Sequence, residues 1–452
     1  MLKDLLKKYD VQGPRYTSYP TVPCWDTTPN EDQWISHLSA ELDKNIANGH
    51  GAAIYLHIPF CEALCTFCAC NRVVTRKHER SMPYIKAIHQ EWDIYKSRLN
   101  RSSIPVAEIH IGGGTPTFMS PDELKLLLEP LLADFNLLSS AELSFEADPR
   151  VTSKEHLQAF YDLGFRRISL GIQDYDPTVQ KAIHREQSVD MVQELVQTAR
   201  EMGYTSINYD MVYGLPKQKL SSIEATFRHV IAQRPDRIAF YAYAHVPWIE
   251  QTGQRGFTES DLPSGDEKRA LYELGRRMLE DAGYREIGMD HFALSHDNLF
   301  KAAENKKLFR NFMGYVPGHV SPMISLGCSS ISDSWTAFIQ NEKNIETYQS
   351  IVAEGRLPII KGHILTEEDL SIRKHILDLM TQFETEWNTD NQFFSDVTSR
   401  LQEAVNDNLI EMTDGFIRLK DSGKPFIRNI CMAFDARLQR QKPGSRIYSR
   451  TI

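Results

Sequence analysis

A repeating unit of helix, glycine and strand constrains the fold of this 452-residue chain more than any other feature of its sequence. Predicted helices end at Gly164, Gly203 and Gly283, and each glycine is followed by an aromatic residue, two polar residues and an apolar run. Glycine readily adopts the left-handed conformation that closes a helix, and the apolar run predicts a strand. Helices that alternate with such strands form parallel β/α units. We therefore predict an α/β fold built as a partial or full parallel β/α barrel.

Six runs are predicted as the parallel strands because they are largely apolar, as expected for strands that are covered on both faces. They are residues 52–57, 107–111, 143–147, 168–173, 207–212 and 238–242. Several predicted helices begin with a capping-box pattern, in which a Ser or Thr is followed three residues later by Glu. These Ser and Thr residues are Ser120, Thr152, Ser221 and Ser264. In a β/α barrel the chemistry takes place at the carboxyl ends of the strands.

The pattern divides the chain into three predicted parts. An N-terminal arm covers residues 1–50, the barrel covers residues 51–355, and a small, mostly helical domain covers residues 356–452. In the last part, predicted helices at 367–382 and 391–406 precede a hairpin, an order that resembles a winged-helix module. Because the chain carries a net charge of −9, nucleic acid is not expected as a partner, and a lid or packing role is favoured.

The C-terminal tail is basic despite the acidic total. It either contributes to binding an acidic substrate or is simply solvated, and the sequence leaves both interpretations open. Its basic residues are Arg437, Arg440, Lys442, Arg446 and Arg450.

Composition places the chain among globular proteins, with 41% hydrophobic and 25% charged residues. No run approaches the roughly 18 apolar residues that a membrane span needs, and residues 1–10 lack the apolar core of a signal peptide. We therefore expect a cytoplasmic protein without a membrane partner.

Four of the seven cysteines, Cys61, Cys65, Cys68 and Cys70, lie within ten residues. In a reducing compartment such a group suggests metal rather than disulfides. Thiolates are the usual ligands of iron–sulfur clusters, whereas structural zinc usually has four closed ligands in paired CxxC spacing. The CxxxCxxC run of the first three favours a [4Fe–4S] cluster with one open iron, and Cys70 remains open as a fourth ligand.

A glycine turn and several polar residues are candidates for ligand contacts near this loop. Gly112, Gly113, Gly114 and Thr115 follow a predicted strand, and glycine lets a ligand approach the backbone closely, although a tight turn alone would also use it. Polar residues near successive strand ends predict a ring around a cavity. They are Glu146, Gln173, Arg185 and Asp210.

The three-cysteine run, with Phe67 before its last cysteine, resembles the signature of the radical S-adenosylmethionine (SAM) superfamily. The resemblance implies that the open iron binds SAM and that one electron from the cluster releases a 5′-deoxyadenosyl radical.

A narrower resemblance covers nearly the whole chain: the sequence is similar to the oxygen-independent coproporphyrinogen III oxidases. It rests on residues 13–21, 57–61, 68–71, 208–216, 288–293 and 428–432. The resemblance implies anaerobic oxidative decarboxylation of coproporphyrinogen III to protoporphyrinogen IX in haem synthesis. It also implies an external electron donor of flavodoxin or ferredoxin type, and we expect a monomer.

The same resemblance implies two bound SAM molecules and assigns residues to them. Contacts to the cluster-bound molecule are assigned to Tyr55, Gly113, Glu146 and Ile331. Contacts to the second molecule are assigned to Phe67, Gly114, Thr115, Gln173, Arg185, Asp210 and Ala244. Arg15 and Tyr16 are the candidates for contact with the tetrapyrrole substrate.

One stretch departs from the family. Its members carry Thr-Thr-Gln-Gly-Asp-Thr-Asp where residues 316–322 here read Val-Pro-Gly-His-Val-Ser-Pro. Because the departure bears on the substrate, two further functions remain in competition: a radical methyltransferase or other tetrapyrrole-modifying enzyme, and a haem carrier. Carriers of this family lack a cysteine corresponding to Cys70 and the segment of residues 15–21, both of which are present here.

Overall fold

The computed structural model describes residues 2–248, 253–440 and 448–451, so the tail residues Lys442 and Arg446 lie outside the described part of the chain. Seven parallel strands form its centre, in the order β7-β1-β2-β3-β4-β5-β6. They are β1 (Ala52–Ile58), β2 (Ile104–Gly113), β3 (Phe135–Ala147), β4 (Arg167–Gln173), β5 (Ser206–Tyr213), β6 (Arg237–Ala242) and β7 (Met323–Leu326). The six predicted strands are thereby confirmed, each extended by one or more residues, and β7 was not among them.

Antiparallel strands widen this sheet to twelve. Ile331–Asp333, Ala337–Asn341 and Ile359–Ile364 follow beside β7, while His291–Ala293 and Arg285–Gly288 follow beside β6. The two edge strands of the described sheet do not pair with each other, so the barrel is partial. The sheet also continues past residue 355, where we placed the start of the C-terminal domain.

Helices connect the parallel strands and pack against their neighbours. The crossover helices are Ser81–Leu99, Pro121–Asp134, Lys154–Asp162, Val189–Met202, Leu220–Gln233 and Gly265–Asp281. The other helices are Leu2–Tyr9, Glu31–Ala47, Pro177–Ala182, Asn298–Glu304, Ile345–Ala353, Glu367–Gln382, Val397–Asn406, Ile427–Phe434 and Ala436–Arg440. None of the helices in the described ranges combines the length and the apolar character that crossing a membrane requires.

The glycines that end helices behave as predicted, since Gly164, Gly203 and Gly283 all have a positive φ, between 89° and 100°. Helix starts were predicted less well. The capping boxes at Ser120 and Ser264 are confirmed.

The other two predicted caps are wrong by one or two residues. Ser153, not Thr152, caps its helix, because the Thr152 hydroxyl instead donates to the carbonyl of Asp148. At the fourth helix, Lys219 is the capping position and Ser221 already lies in the first turn.

The C-terminal region has its own apolar core, enclosed by three helices and a three-stranded sheet. That sheet consists of Glu384–Glu386, Phe416–Leu419 and Ile410–Thr413. Leu6, Tyr9, Tyr16 and Tyr19 of the predicted arm are buried in this core. Trp34, from later in the same arm, is instead buried in the core of the large sheet. Trp25 is buried in a third, smaller cluster with Phe338 and Leu365, so the described part of the arm contributes to more than one core.

The described basic residues of the tail pair with carboxylates of the protein. The Arg437 guanidinium donates to Asp369 at 2.7 Å and to Asp26 at 2.8 Å. Arg440 pairs with Glu368 and Arg450 pairs with Asp10. These pairs fasten the C-terminal segment to the rest of the chain.

Candidate active site

The cysteine loop leaves the carboxyl end of β1 and is fastened along its length. Phe60–Cys61 forms a short parallel pair with Val73–Val74, which closes the base of the loop. In between, the Thr66 amide donates to the carbonyl of Ile183 at 3.0 Å, and the carbonyl of Cys68 accepts from the Gly253 amide at 2.9 Å. The loop is therefore held against the neighbouring βα connections at a fixed place above the sheet.

All four thiols of this loop line one cavity of about 410 Å³ at the carboxyl ends of the parallel strands, here called the cysteine cavity. The Thr115 hydroxyl lies 3.5 Å from Cys61 Sγ. Two guanidinium groups, from Arg150 and Arg185, each place a nitrogen 3.6 Å from Cys65 Sγ. These cations offset the negative charge that a metal-bound thiolate carries.

The thiols of this loop are the kind of ligand that an iron–sulfur cluster uses. Among the described residues, no three His, Cys, Asp or Glu side chains converge on a position where one metal ion could be held. The cysteines instead lie around the wall of the cavity, and the thiolates of a [4Fe–4S] cluster are spread over different irons. Burial raises the pKa of Cys61 to about 11, so iron binding must displace its proton.

The glycine turn after β2 brings bare backbone to the edge of this cavity. Gly113 has a φ of 114°, and a Cβ atom there would lie 2.6 Å from the imidazole of His57. The Gly113 amide donates to Glu146 Oε2 at 3.1 Å, and the Thr115 amide donates to the carbonyl of Phe60 at 2.8 Å. Only glycine fits this turn, which ties β2 both to the carboxylate of β3 and to the cysteine loop.

A buried cation forms the next part of the wall. Arg185 donates to Asp148 Oδ2 at 3.0 Å and to the carbonyl of Gly171 at 2.7 Å. A side chain at Gly171 would collide with Arg185 and with Gln173, whose atoms lie within 2.9 Å of the Cβ position. The small residue thus lets two polar groups meet at the end of β4.

Asp210 supplies a buried carboxyl group to the same cavity. The Ser169 hydroxyl donates to Asp210 Oδ2 at 2.9 Å, and the Asn208 amide donates to Oδ1 at 2.9 Å. Burial, together with the charge of Glu146, raises the pKa of Asp210 to about 6. A nearby cation, such as an amino or sulfonium group of a ligand, would favour its ionised form.

Most of the candidates from the sequence meet in the cysteine cavity. Its lining includes Cys61, Cys65, Phe67, Cys68, Cys70, Gly113, Gly114, Thr115, Glu146, Gln173, Arg185 and Asp210. Three others do not line it. Tyr55 contacts His57 at 3.1 Å, the Ala244 carbonyl accepts from Gln254, and Ile331 packs near Phe338.

Neither substrate candidate lines the cysteine cavity. The Tyr16 hydroxyl is buried and donates to Asp435 at 3.0 Å in the C-terminal core. Arg15 donates to the carbonyl of Ala242 at 2.8 Å and lines a different cavity. The geometry gives Tyr16 a packing role and gives Arg15 a place outside the cysteine cavity.

The departing stretch of residues 316–322 lies at the opposite end of the sheet. Residues 317–320 line a cavity together with Glu108 and Glu142, beside the first residues of the strands. There the Arg237 guanidinium donates to Asp297 at 2.6 Å and to Glu142 at 3.1 Å. Our expectation that this stretch bears on the substrate is not supported by its position.

Sequence reasoning missed Asp148, which accepts a hydrogen bond from Arg185, and Arg150, whose guanidinium approaches Cys65. Arg150 donates to Asp148 Oδ2 at 2.6 Å. Both residues directly follow β3, so the rule that selected Glu146 could have found them. Tyr241 lies near the end of β6 and lines the cavity. The same rule could have found it.

Comparison with known proteins agrees with this geometry. Residues 55–230 match the model of the Radical SAM superfamily, a range that includes the second half of β1, the cysteine loop and β2–β5. Fold and site together define a radical SAM enzyme, a class that carries a [4Fe–4S] cluster and binds SAM.

Relatives across the whole length narrow the class. The oxygen-independent coproporphyrinogen III oxidase of Pseudomonas aeruginosa is 39% identical, over 96% of this chain and 95% of that protein. That of Escherichia coli is 34% identical, over 99% of this chain and 98% of that protein. The solved structure of the E. coli coproporphyrinogen III oxidase, described as a radical SAM enzyme, superposes with a TM-score of 0.87 and 33% identity, over 94% of this chain and 98% of that one. The chain belongs to the oxygen-independent coproporphyrinogen III oxidase family.

Proposed function

We propose that this chain converts coproporphyrinogen III to protoporphyrinogen IX without oxygen, by oxidative decarboxylation of two propionate side chains. The observation that carries the proposal is the cysteine cavity, where the CxxxCxxC thiols, the glycine turn and buried polar groups meet in a chain alignable end to end with oxidases of this name. When bound, the cluster and SAM supply the radical that removes a hydrogen atom from the substrate.

Within this proposal, Cys61, Cys65 and Cys68 hold the cluster. Cys70 is exposed at the rim of the cavity, and its backbone amide lies 3.4 Å from Cys68 Sγ. The Cys70 thiol also lies beside Cys68, so Cys70 contacts the last ligand through both its amide and its side chain. Each turnover also needs an electron from outside the chain, for which we propose a donor of flavodoxin or ferredoxin type. We also propose that the protein is a monomer.

A second SAM molecule is part of the proposal. Phe67, Gln173, Arg185 and Asp210 extend the wall of the cavity that the thiols and the glycine turn also line. Asp210 and the guanidinium of Arg185 offer an acceptor and donors for a ligand that carries both charges. This polar extension is the support for a second site beside the cluster-bound one.

Equilibrium dialysis tests the number of SAM sites. Wild type is expected to bind two equivalents and Arg185→Ala about one, because a lost charge-assisted hydrogen bond costs about 1.5–3 kcal/mol. Arg228→Ala, which removes an exposed guanidinium paired with Glu224, is the matched control and should keep both. A wild type that saturates at one equivalent contradicts the second site.

Product analysis under anaerobic reduction tests the function itself. The reconstituted protein, given coproporphyrinogen III and SAM, should form protoporphyrinogen IX, CO₂ and 5′-deoxyadenosine, whereas Cys65→Ala should form none of them. A methylated or otherwise altered tetrapyrrole would make this chain a methyltransferase or another modifying enzyme. Haem binding without cleavage of SAM would make it a carrier.

A further inference from the structure

A second cavity lies on the outer face of the sheet, across the strands from the cysteine cavity. It has a volume of about 610 Å³ and opens between the helix Gly265–Asp281 and the C-terminal region. Its inner end is formed by Arg15, Tyr213, Ala242, Lys268, Asp290 and Arg428. We refer to it as the outer cavity.

Three cations at this inner end have only neutral partners. Arg15 donates to the carbonyl of Ala242, Lys268 Nζ donates to that of Tyr243 at 3.1 Å, and Arg428 Nε donates to that of Pro14 at 2.9 Å. Within the described ranges, none of the three forms an ion pair with a carboxylate. Toward the mouth the pattern is different, because the cations there are paired. Those pairs are Arg269–Glu273, Arg276–Glu280 and Lys424–Asp421.

The inner end is consequently short of negative charge. Burial, with the neighbouring charges of Arg15 and Arg428, lowers the pKa of Lys268 to about 8. Asp10 and Asp290 are the nearby carboxylates. Asp10 is already paired with Arg450, so Asp290 alone faces the three cations and a positive excess remains. Glu286 adds little, because burial raises its pKa to about 7 and the Tyr272 hydroxyl already donates to it at 2.5 Å. An anionic ligand would relieve this repulsion and replace water at the cations.

The two cavities adjoin over the ends of the same two strands. Val212 and Tyr241 line the cysteine cavity, while the next residues, Tyr213 and Ala242, line the outer cavity. Consecutive Cα atoms are about 3.8 Å apart and successive side chains point to opposite faces. A ligand lying over these strand ends could therefore reach both cavities.

The proposed substrate has carboxylates for both places. Coproporphyrinogen III carries four propionates, of which two lose CO₂ and two remain in the product. The reacting pair must reach the cysteine cavity in turn, and the unreactive pair must be held elsewhere. We propose that the outer cavity binds the two propionates that the product retains, through Lys268, Arg15 and Arg428. This inference rests on the proposed function and assigns a substrate subsite to it.

Binding of stable porphyrins tests the subsite without requiring activity. Coproporphyrin III has all four propionates, and deuteroporphyrin IX has only the two that correspond to the retained pair. Both are titrated into the reconstituted protein and followed by fluorescence. Lys268→Met should weaken both by about the same factor, roughly tenfold, as expected for a lost charge-assisted hydrogen bond. Lys268→Arg should restore most of the affinity.

Two further variants test whether the loss of affinity is specific to the outer cavity. Lys86→Met removes an exposed lysine from the helix Ser81–Leu99 and should change nothing. Arg15→Met, measured in parallel with circular dichroism to check folding, should behave like Lys268→Met.

The outcomes separate the two proposals. If wild type binds neither porphyrin, the proposed substrate is wrong and the subsite is wrong with it. If wild type binds both but Lys268→Met and Arg15→Met match Lys86→Met, the outer cavity is not the subsite and the function stands. A loss of affinity for coproporphyrin alone assigns Lys268 to the reacting propionates and also overturns the inference. Citrate that occupies the cavity and leaves porphyrin binding unchanged would assign it to a free polycarboxylate instead.

Discussion

The two ends of the parallel sheet both collect charged residues, but they use them differently. At the amino end, Arg237 is closed between Asp297 and Glu142, and Arg167 lies 2.7 Å from Glu142. At the carboxyl end, thiols and polar groups face a cavity and keep surfaces free for a ligand. The difference teaches that buried charge at a strand end does not by itself mark a site. A cavity borders charged residues at both ends, and what distinguishes the carboxyl end is that thiols and a glycine turn lie beside its charges.

The largest effect is expected when the cysteines at the carboxyl end of the sheet are substituted. Cys61→Ala, Cys65→Ala and Cys68→Ala should each lose most of the reconstituted iron and sulfide and all activity, because each removes one of three ligands. Cys70→Ser should keep the cluster, since the three-cysteine signature is complete without it. Iron content and low-temperature EPR decide the outcome.

Cys24→Ser provides the matched control, because Cys24 lies outside the cysteine cavity beside Thr21 and Tyr448. It should retain iron, spectrum and activity. A Cys70→Ser protein without a cluster would show that four thiols ligate the iron, leaving no open position for SAM.

Substitutions at the amino end of the sheet, where the charges are paired, should lower the stability of the protein rather than its catalytic activity. Arg237→Met leaves the buried carboxylates of Asp297 and Glu142 without their shared cation, and breaking a buried pair costs about 3–5 kcal/mol. Urea unfolding should show this loss, while Arg228→Met, at an exposed pair, should cost less than about 1 kcal/mol. A folded Arg237→Met protein that cleaves SAM but forms no product would give the amino end a part in catalysis.

Glu108 offers a smaller, pH-dependent test of the closed end. Neither of its buried carboxylate oxygens has a hydrogen-bond partner among the described residues. Burial and the charge of Glu142 raise its pKa from 4.5 to about 7. The native state therefore holds this proton more tightly than the unfolded chain, so stability falls as pH rises from about 4.5 to about 7.

Glu108→Gln removes this titration. Relative to wild type, its free energy of unfolding should be higher at pH 8 than at pH 5, by up to about 3 kcal/mol at roughly 1.36 kcal/mol per pKa unit. Urea midpoints of both proteins at the two pH values give the difference, in which the fixed cost of burying the amide cancels. Equal differences at both pH values would mean that folding does not raise the pKa of Glu108, as expected if its carboxylate were well paired with Arg167.

Local signals were enough to predict the barrel and the cysteine loop. A glycine such as Gly203 ends its helix whatever the tertiary contacts around it. Cys61, Cys65 and Cys68 are close in sequence and lie within a single loop. The rule for strand ends placed Glu146 and Asp210 on the cavity because parallel strands bring their carboxyl ends to one edge.

Long-range packing could not be predicted in the same way. The arm divides between separate cores because Tyr16 and Trp34 have different partners. The partner of Tyr16 is hundreds of residues away in the sequence, and that of Trp34 is tens of residues away. The pairing of β7 with β1 joins residues far apart in sequence, and it determines which end of the sheet the stretch before β7 reaches. Gly171 escaped notice because its need for a small side chain arises only from Arg185 and Gln173.

The departing stretch of residues 316–322 provides the test with the smallest expected effect on the difference between the two ends. Replacing residues 317–320 by Thr-Gln-Gly-Asp, the family sequence at these positions, alters the wall of the amino-end cavity and removes the His319 ring from its contacts with Phe309 and Trp335. The kcat/KM for coproporphyrinogen III should stay within about twofold, since changes away from a site are usually worth less than about 0.5 kcal/mol. Gln173→Ala, at the open end, is the sensitive comparison and should lower it. A graft that changes the product or raises kcat/KM tenfold would show that the amino end selects the substrate after all.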